Sequence, residues 1–135
     1  MHKTDNTNPR VIVVDDDRDA ATSLSFLLAG AGFEVETFFD GPSALRAAIR
    51  FMPDACVLDI QMPGMSGYEL ARQLREGRLY HPPLCATVTA FDDNAHLDLA
   101  VNAGFDLHFT KPADPFEIAD QIRDCLQRQS GVANH

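Results

Sequence analysis

A doubly wound α/β domain, with helices on both faces of a five-stranded parallel sheet, is the fold predicted by three features of this 135-residue sequence. Strand-like apolar runs alternate five times with segments of helical period, the connections between them are short, and the first and third runs are apolar throughout, as strands buried on both faces must be. Right-handed crossovers leave few other arrangements for such an order. The length suits one domain, and nothing in the chain repeats.

Residues 11–14 are all β-branched and form the first strand. Ala20, Leu24, Leu27, Leu28 and Ala31 then recur at helical spacing, with Gly32 as the stop. Residues 33–39 are rich in strand formers, and Asp40, Gly41 and Pro42 turn the chain into a second helix whose apolar face reads Leu45, Ala48, Ile49 and Met52. Pro53 and Asp54 end it before the strand at 55–58, and a loop over 62–66 leads to a third helix carrying Leu70, Ala71 and Leu74. Pro82 and Pro83 introduce a strand at 84–88, after which Asp92 or Asp93 caps a fourth helix bearing Leu97, Ala100 and Val101 and ending near Gly104. Residues 107–109 make the fifth strand, and Pro115 opens a last helix with Ile118, Ala119, Ile122 and Leu126 facing inward. The domain is thus expected over 10–129, with flexible ends at 1–9 and 130–135, and with no linker or output module attached.

Twenty acidic side chains against eleven Lys plus Arg give a net charge of -9, which repels nucleic-acid phosphates, so direct nucleic-acid binding is not expected. No apolar run approaches the length of a membrane span, and the polar first nine residues lack the apolar centre of a secretory signal, so the expected location is the cytoplasm, away from membranes. Cys56, Cys85 and Cys125 lie in apolar segments without metal-type spacing and read as buried free thiols. His2, His81, His96, His108 and His135 are scattered, and no metal role falls to them.

In open α/β sheets ligands bind at the carboxyl ends of the strands, so the residues just after each strand are the ones to inspect. Asp15, Asp16 and Asp17 follow the first strand, Asp59 the third, Thr89 and Ala90 the fourth, and Lys111 with Pro112 the fifth. Two carboxylates about 4 Å apart repel by roughly 4 kcal/mol at an effective dielectric near 20, so this cluster calls for a cation. Oxygen ligands without Cys or His favour Mg²⁺, for which Mn²⁺ can substitute, over zinc. A nucleophile, a metal, a further cation and hydrogen-bond donors are the parts that phosphoryl transfer requires. Lys111 is one of only two lysines, the other being Lys3. Some of the aspartates have a plainer role: Asp17 or Asp19 can cap the first helix, and Asp5, Asp40, Asp54 and Asp124 read as capping or solvated charges.

Four segments, Val-Val-Asp-Asp at 13–16, Val-Leu-Asp-Ile-Gln-Met-Pro-Gly-Met-Ser-Gly at 57–67, Val-Thr-Ala at 88–90 and Lys-Pro at 111–112, fall in order at strand ends and resemble the receiver domains of bacterial response regulators. The likeness covers nearly the whole chain and implies a flavodoxin-like (βα)5 fold with strand order 2-1-3-4-5. It implies that Asp59 is the phosphoacceptor, that Asp15 and Asp16 hold Mg²⁺ together with Asp59 and the backbone carbonyl of Gln61, and that Thr89, the amide of Ala90 and Lys111 meet the phosphoryl oxygens. A cis bond before Pro112 is implied as well. So is a phosphoacceptor that assists its own modification rather than a turnover enzyme. Its partners would be a histidine kinase or histidine phosphotransfer protein upstream and a protein target downstream, with a homodimer surface over the fourth helix, fifth strand and fifth helix. The resemblance makes Thr89 a switch hydroxyl, but three places before Lys111, where the family most often has Tyr or Phe as a partner switch, this chain has His108, which would add a pH dependence. Phe91 and Gln61 stand where the family tunes attack of water on the acyl phosphate.

Asp15 and Asp17 also permit a small haloacid-dehalogenase-like phosphatase with Asp15 as nucleophile, but Asp19 then replaces the usual Thr or Val and Asp59 goes unexplained. A flavodoxin-like FMN carrier needs a hydroxyl- and glycine-rich loop where this chain has three aspartates. A binding module that works without phosphorylation, or a receiver cut from a hybrid kinase or larger regulator, would share the fold.

Overall fold

The computed structural model describes residues 8–77, 81–90 and 104–133, with side chains described as far as residue 129. Its elements are β1 (Arg10–Val14), α1 (Arg18–Gly30), β2 (Glu34–Phe38), α2 (Gly41–Phe51), β3 (Ala55–Leu58), α3 (Gly67–Glu76), β4 (Leu84–Thr89), β5 (Leu107–Thr110) and α4 (Pro115–Ala133). The strands form one sheet in the order β2-β1-β3-β4-β5, and every neighbouring pair is parallel. This is the predicted architecture. The helix expected over 92–104, with Leu97, Ala100 and Val101, lies outside the described residues apart from Gly104.

Alternation along the strands divides the core in two. Ile12, Val14, Cys56, Leu58 and Cys85 pack on the face covered by α2 and α3, among Ala44, Ala48, Leu70 and Leu74. Val11, Val13, Ala55, Val57 and Ala86 pack on the other face with Leu28, Ile118 and Ile122 of α1 and α4. Each large side chain so buried contributes roughly 1.5–3 kcal/mol, which makes the β1–β3 centre the anchor of the fold. Cys56 and Cys85 are buried as expected, whereas Cys125 is only half-buried on α4.

Local chemistry fixes the helix ends. Asp17 is the N-cap of α1, accepting from the Ala20 amide, and Asp40 caps α2 by accepting from the Ser43 amide, a bond that holds the Asp40 carboxyl below its ordinary pKa. Ser66 caps α3 in the same way through the Glu69 amide. At the other end of α1, Gly32 takes the positive φ of 104° that the reversal needs. Arg123 of α4 donates to the Ala31 carbonyl there and lays its guanidinium 4.7 Å from the centre of the Phe33 ring. Asp54 is structural too, accepting from the Arg10 amide at 2.8 Å where β1 begins.

Three boundaries or faces differ from the sequence reading. The buried side of α2 is Ala44, Ala47, Ala48 and Phe51, leaving Ile49 65% and Met52 37% exposed, so the helix is rotated from the expected face. Small alanines let its axis approach the sheet, and the larger apolar residues are left at the rim. On α1, Ser25 joins Ala21 and Leu28 on the buried side because Thr37 of β2 donates to its hydroxyl at 2.7 Å. The last helix continues through Ala133 into the stretch expected to fray, since adding a turn to an established helix costs far less than starting one.

Glycine placement gives a test with opposite signs. A Cβ at Gly67 would stand 2.3 Å from the Asp59 carbonyl oxygen and 2.8 Å from the Ile60 Cα, whereas one at Gly30 meets nothing within 4 Å. Gly67→Ala is expected to destabilise the domain by about 1–3 kcal/mol or more. Gly30→Ala should stabilise it by roughly 0.5–1 kcal/mol by removing backbone freedom from the unfolded chain. Urea unfolding of the two variants checks both directions, and equal midpoints would contradict the close approach at Gly67.

Candidate functional site

The order of the sheet reverses between β1 and β3: from β1 the chain moves outward to β2, and then returns to β3 on the other side. The carboxyl ends of these two strands therefore open a crevice that no crossover helix covers. Asp15 and Asp59 are the first residues past β1 and β3, and the sheet ladder carries on into both, the Asp15 amide donating to the Phe38 carbonyl at 3.2 Å and the Asp59 amide to the Val14 carbonyl at 2.9 Å. Both carboxylates are thereby placed by backbone, not by side-chain rotamer alone.

Lys111 reaches this crevice from beyond β5. Its amide donates to the Thr89 carbonyl at 2.7 Å, and its peptide bond to Pro112 is cis, as expected. Its ammonium lies 3.2 Å from Asp15 Oδ2 and 3.5 Å from Asp59 Oδ1, joining residues 96 and 52 positions away in the chain. Both aspartate side chains are about nine-tenths buried, and Lys111 is about one-third exposed. Asp15 Oδ1 also accepts from the Asp17 amide at 3.0 Å, which fixes its plane. Asp16 is exposed, yet one oxygen from each of Asp15, Asp16 and Asp59 lies within 4.8 Å of the others. That all-oxygen set, with a single lysine against three carboxylates, fits a hard divalent cation.

The other expected site residues fall nearby to different degrees. Thr89 is the last residue of β4 rather than the first beyond it, and is almost fully buried. Ala90 follows it and is exposed, as is Gln61 in the loop after β3. Phe91 lies outside the described residues. His108 sits in β5, half-buried, with both ring nitrogens shielded from solvent and without a hydrogen-bond partner. Asp17 is exposed and occupied as a helix cap, which removes it from the second-acid role of an Asp-x-Asp phosphatase.

Two features were not anticipated. Gly67 packs the first turn of α3 against the Asp59 backbone and donates its amide to the Ile60 carbonyl at 3.0 Å; the Ser-Gly pair at the end of the loop was the available signal. Beside the acidic crevice, a largely apolar cavity of about 470 Å³ runs between α1 and α4, with Asp15, Asp59 and Lys111 at one end and Leu24, Leu27 and Ile118 along its walls. Spacing alone could not show it, because its walls come from elements nearly a hundred residues apart.

Burial, reinforced by the charge of Asp15 and more weakly by Asp16, pushes the Asp59 carboxyl up from 3.8 to about 6, against the pull of Lys111. Burial opposes the charge of Lys111, but Asp59 and Asp15 outweigh it and hold that pKa above its ordinary value. Because the folded chain holds the Asp59 proton more tightly than the unfolded one, this group adds stability that is complete below pH 3.8 and is lost as the pH rises through about 6. In metal-free buffer Asp59→Asn is expected to be more stable than the parent at about pH 8 and to lose that advantage toward about pH 4. Urea midpoints at the two pH values measure it, and a difference that ignores pH would count against the electrostatic origin.

With this geometry established, comparison with known proteins gives one consistent answer. The response regulator receiver domain family matches residues 11–123. The chain is 36% identical over 126 residues to the alkaline phosphatase synthesis transcriptional regulatory protein PhoP of Bacillus subtilis, covering 93% of this chain and 52% of that protein. It is 38% identical over 129 residues to the transcriptional regulatory protein PrrA of Mycobacterium tuberculosis, covering 94% and 54%. The chain thus spans about half the length of the curated relatives it matches. Among solved structures, a CheY-like response regulator receiver domain protein from Methanospirillum hungatei superposes with a TM-score of 0.84 at 26% identity, over 93% of this chain and 98% of that one. Sheet order, acidic crevice, strand-end lysine and sequence likeness agree, and the chain belongs to the response regulator receiver domain family of two-component signalling.

Proposed function

We propose that Asp59 is the phosphoacceptor of this receiver and that Lys111, Thr89 and Ala90 complete the site. The observation that carries this reading is the Lys111 ammonium set between the buried Asp15 and Asp59 carboxylates at the sheet's switch point. An Asp59 carboxylate oxygen attacks the phosphorus of a donor in line; the bond from phosphorus to the donor's leaving atom breaks, and an acyl phosphate is left on Asp59. Lys111 moves from pairing with a carboxylate to pairing with a phosphoryl oxygen, a short displacement for a point charge on a flexible stem. The Thr89 hydroxyl and the Ala90 amide donate to the other oxygens. Asp15, Asp16 and Asp59, with the Gln61 carbonyl, would hold Mg²⁺, whose chemistry is to neutralise charge on the transferring oxygens. Water then cleaves the acyl phosphate, releasing inorganic phosphate and regenerating the Asp59 carboxylate, so the domain assists its own modification without turning over a separate substrate.

The donor is a histidine kinase, a histidine phosphotransfer protein or a small acyl phosphate. For a protein donor, the apolar cavity between α1 and α4 beside Asp59 offers contact area next to the acceptor. A net charge of -9 opposes direct nucleic-acid contact by this domain, so its output passes by protein contact, to a target or to a second copy, across the β5 and α4 side. None of the helices among the described residues is long and apolar enough to cross a membrane, in keeping with the cytoplasmic location proposed here.

Incubation with acetyl phosphate and Mg²⁺ should add one phosphoryl group by intact mass, lost in Asp59→Asn and on chelation. Lys111→Gln keeps the size but not the charge and is expected to slow the gain by roughly 10²-fold. A gain that survives in Asp59→Asn would move the nucleophile to Asp15 or Asp16; no gain, with a kinase also inert, would leave a binding module that works without phosphorylation.

A further inference from the structure

The chain carries its excess negative charge unevenly. Among the described helices α2 alone has a net positive charge, with Arg46 and Arg50 one turn apart and no acidic residue. Arg50 reaches Glu36 only at 3.8 Å, and Arg46 forms no ion pair among the described residues, donating instead to the Ser43 hydroxyl. Between these arginines Ile49 stands 65% exposed. It rims a groove of about 250 Å³ that runs between α2 and α3, walled by Leu45, Ala48 and Leu74. A single exposed aliphatic side chain is ordinary, but one that borders an apolar groove and is flanked by cations, on a chain of net charge -9, marks a contact surface.

The complementary surface lies on the same chain. Phe116, in the first turn of α4, is 63% exposed. Asp120 one turn further on, Glu117 beside it and Asp114, which accepts from the Phe116 amide at 2.9 Å, are exposed as well. Three carboxylates thus surround one aromatic anchor, and two arginines flank one aliphatic groove, so the two surfaces match in polarity and oppose in charge.

We propose that the α2–α3 groove receives the first turn of α4 from a second copy of this chain, with Phe116 set against Ile49 and Leu45 and the acids of that turn facing Arg46 and Arg50. Helices α2 and α3 cover one face of the sheet, and α1 and α4 cover the other. Anchor and groove of one copy therefore point away from each other, which rules out both a contact within one chain and a reciprocal contact about a two-fold axis. The association is head to tail, leaving a free groove at one end and a free anchor at the other. It differs in this from the homodimer expected over the fourth helix, fifth strand and fifth helix, where one patch meets itself. A buried aromatic side chain removes only about 150–250 Å² from water, well short of the about 800 Å² per partner of a standard interface, so the contact is weak and driven by concentration. Pro115, next to the anchor, lines the cavity that borders Asp59 and Lys111, so the seated copy stands beside the acid crevice. The contact does not depend on the phosphoacceptor reading.

Sedimentation equilibrium of the full chain, without phosphodonor or metal, reads the weight-average mass from about 10 µM to about 1 mM, the range in which so small a contact associates. The parent's mass should climb past that of a dimer, because head-to-tail contacts keep adding copies. Ile49→Asp spoils the groove and Phe116→Ser removes the anchor; each alters an exposed side chain, and each variant alone should stay monomeric. An equimolar mixture of the two should associate again and stop at a dimer, since only one intact anchor and one intact groove are left to meet. That recovery also shows both variants to be folded. Arg46→Glu, which leaves the apolar surface and reverses the charge, should weaken the parent's association roughly tenfold or more. A monomeric parent, association that survives in Ile49→Asp or in Phe116→Ser, a mixture that stays monomeric, or indifference to Arg46→Glu overturns the proposal. None of these readings involves phosphoryl uptake, so their failure leaves the phosphoacceptor reading to its own mass measurement.

Discussion

Three carboxylates gathered within 4.8 Å of one another, two of them paired with one ammonium, are the constraint around which this domain is built. Such a concentration of like charge is tolerable only where the chain cannot spread it out. The parallel sheet supplies that condition, since Asp15 and Asp59 are fixed by ladder hydrogen bonds at the ends of adjacent strands whose apolar residues are buried on both faces. The raised pKa of Asp59 is the electrostatic trace of this enforced proximity. A site whose carboxylates are so incompletely compensated by protein charge gains most from a cation or from a group that brings its own counter-charges, and that is the property a chemical sensor needs.

Much of this was legible in the sequence, and for identifiable reasons. Strand periodicity and short connections are local signals, so the five strands and the layer order could be read directly, and the aspartates and lysine stood out because strand ends in such folds face one crevice. The orientation of α2 was less legible, because its sequence offers apolar residues on more than one side and only the distance to the sheet decides that Ala44, Ala47 and Ala48, not Ile49, turn inward. Ser25 was hidden for a related reason: its burial depends on a hydroxyl supplied by the neighbouring strand. The contact of Gly67 with the Asp59 carbonyl was only half-legible, since a glycine in a loop motif signals freedom or closeness without saying which.

The two edges of the acidic crevice are held differently. On the β1 and β3 side, backbone bonds and helix caps leave the aspartates little freedom, with Asp15 tied to the Asp17 amide and Asp17 in turn committed to α1. On the β4 and β5 side, polar side chains line one face of the sheet, and some of them are unsatisfied. Carboxylates fixed through the backbone therefore lie beside strands whose buried polar groups are less fully paired. A protein that must perform chemistry with fixed geometry and still change shape can meet both needs by assigning them to opposite halves of one sheet.

The tie between Arg123 and the Ala31 carbonyl joins α1 and α4 at the end of α1 remote from the crevice, while the apolar cavity separates the same two helices near it. The pair has the layout of forceps, pinned at the base and parted at the tips. The parted end borders Asp15, Asp59 and Lys111, so whatever fills the space between the helices abuts the acid cluster.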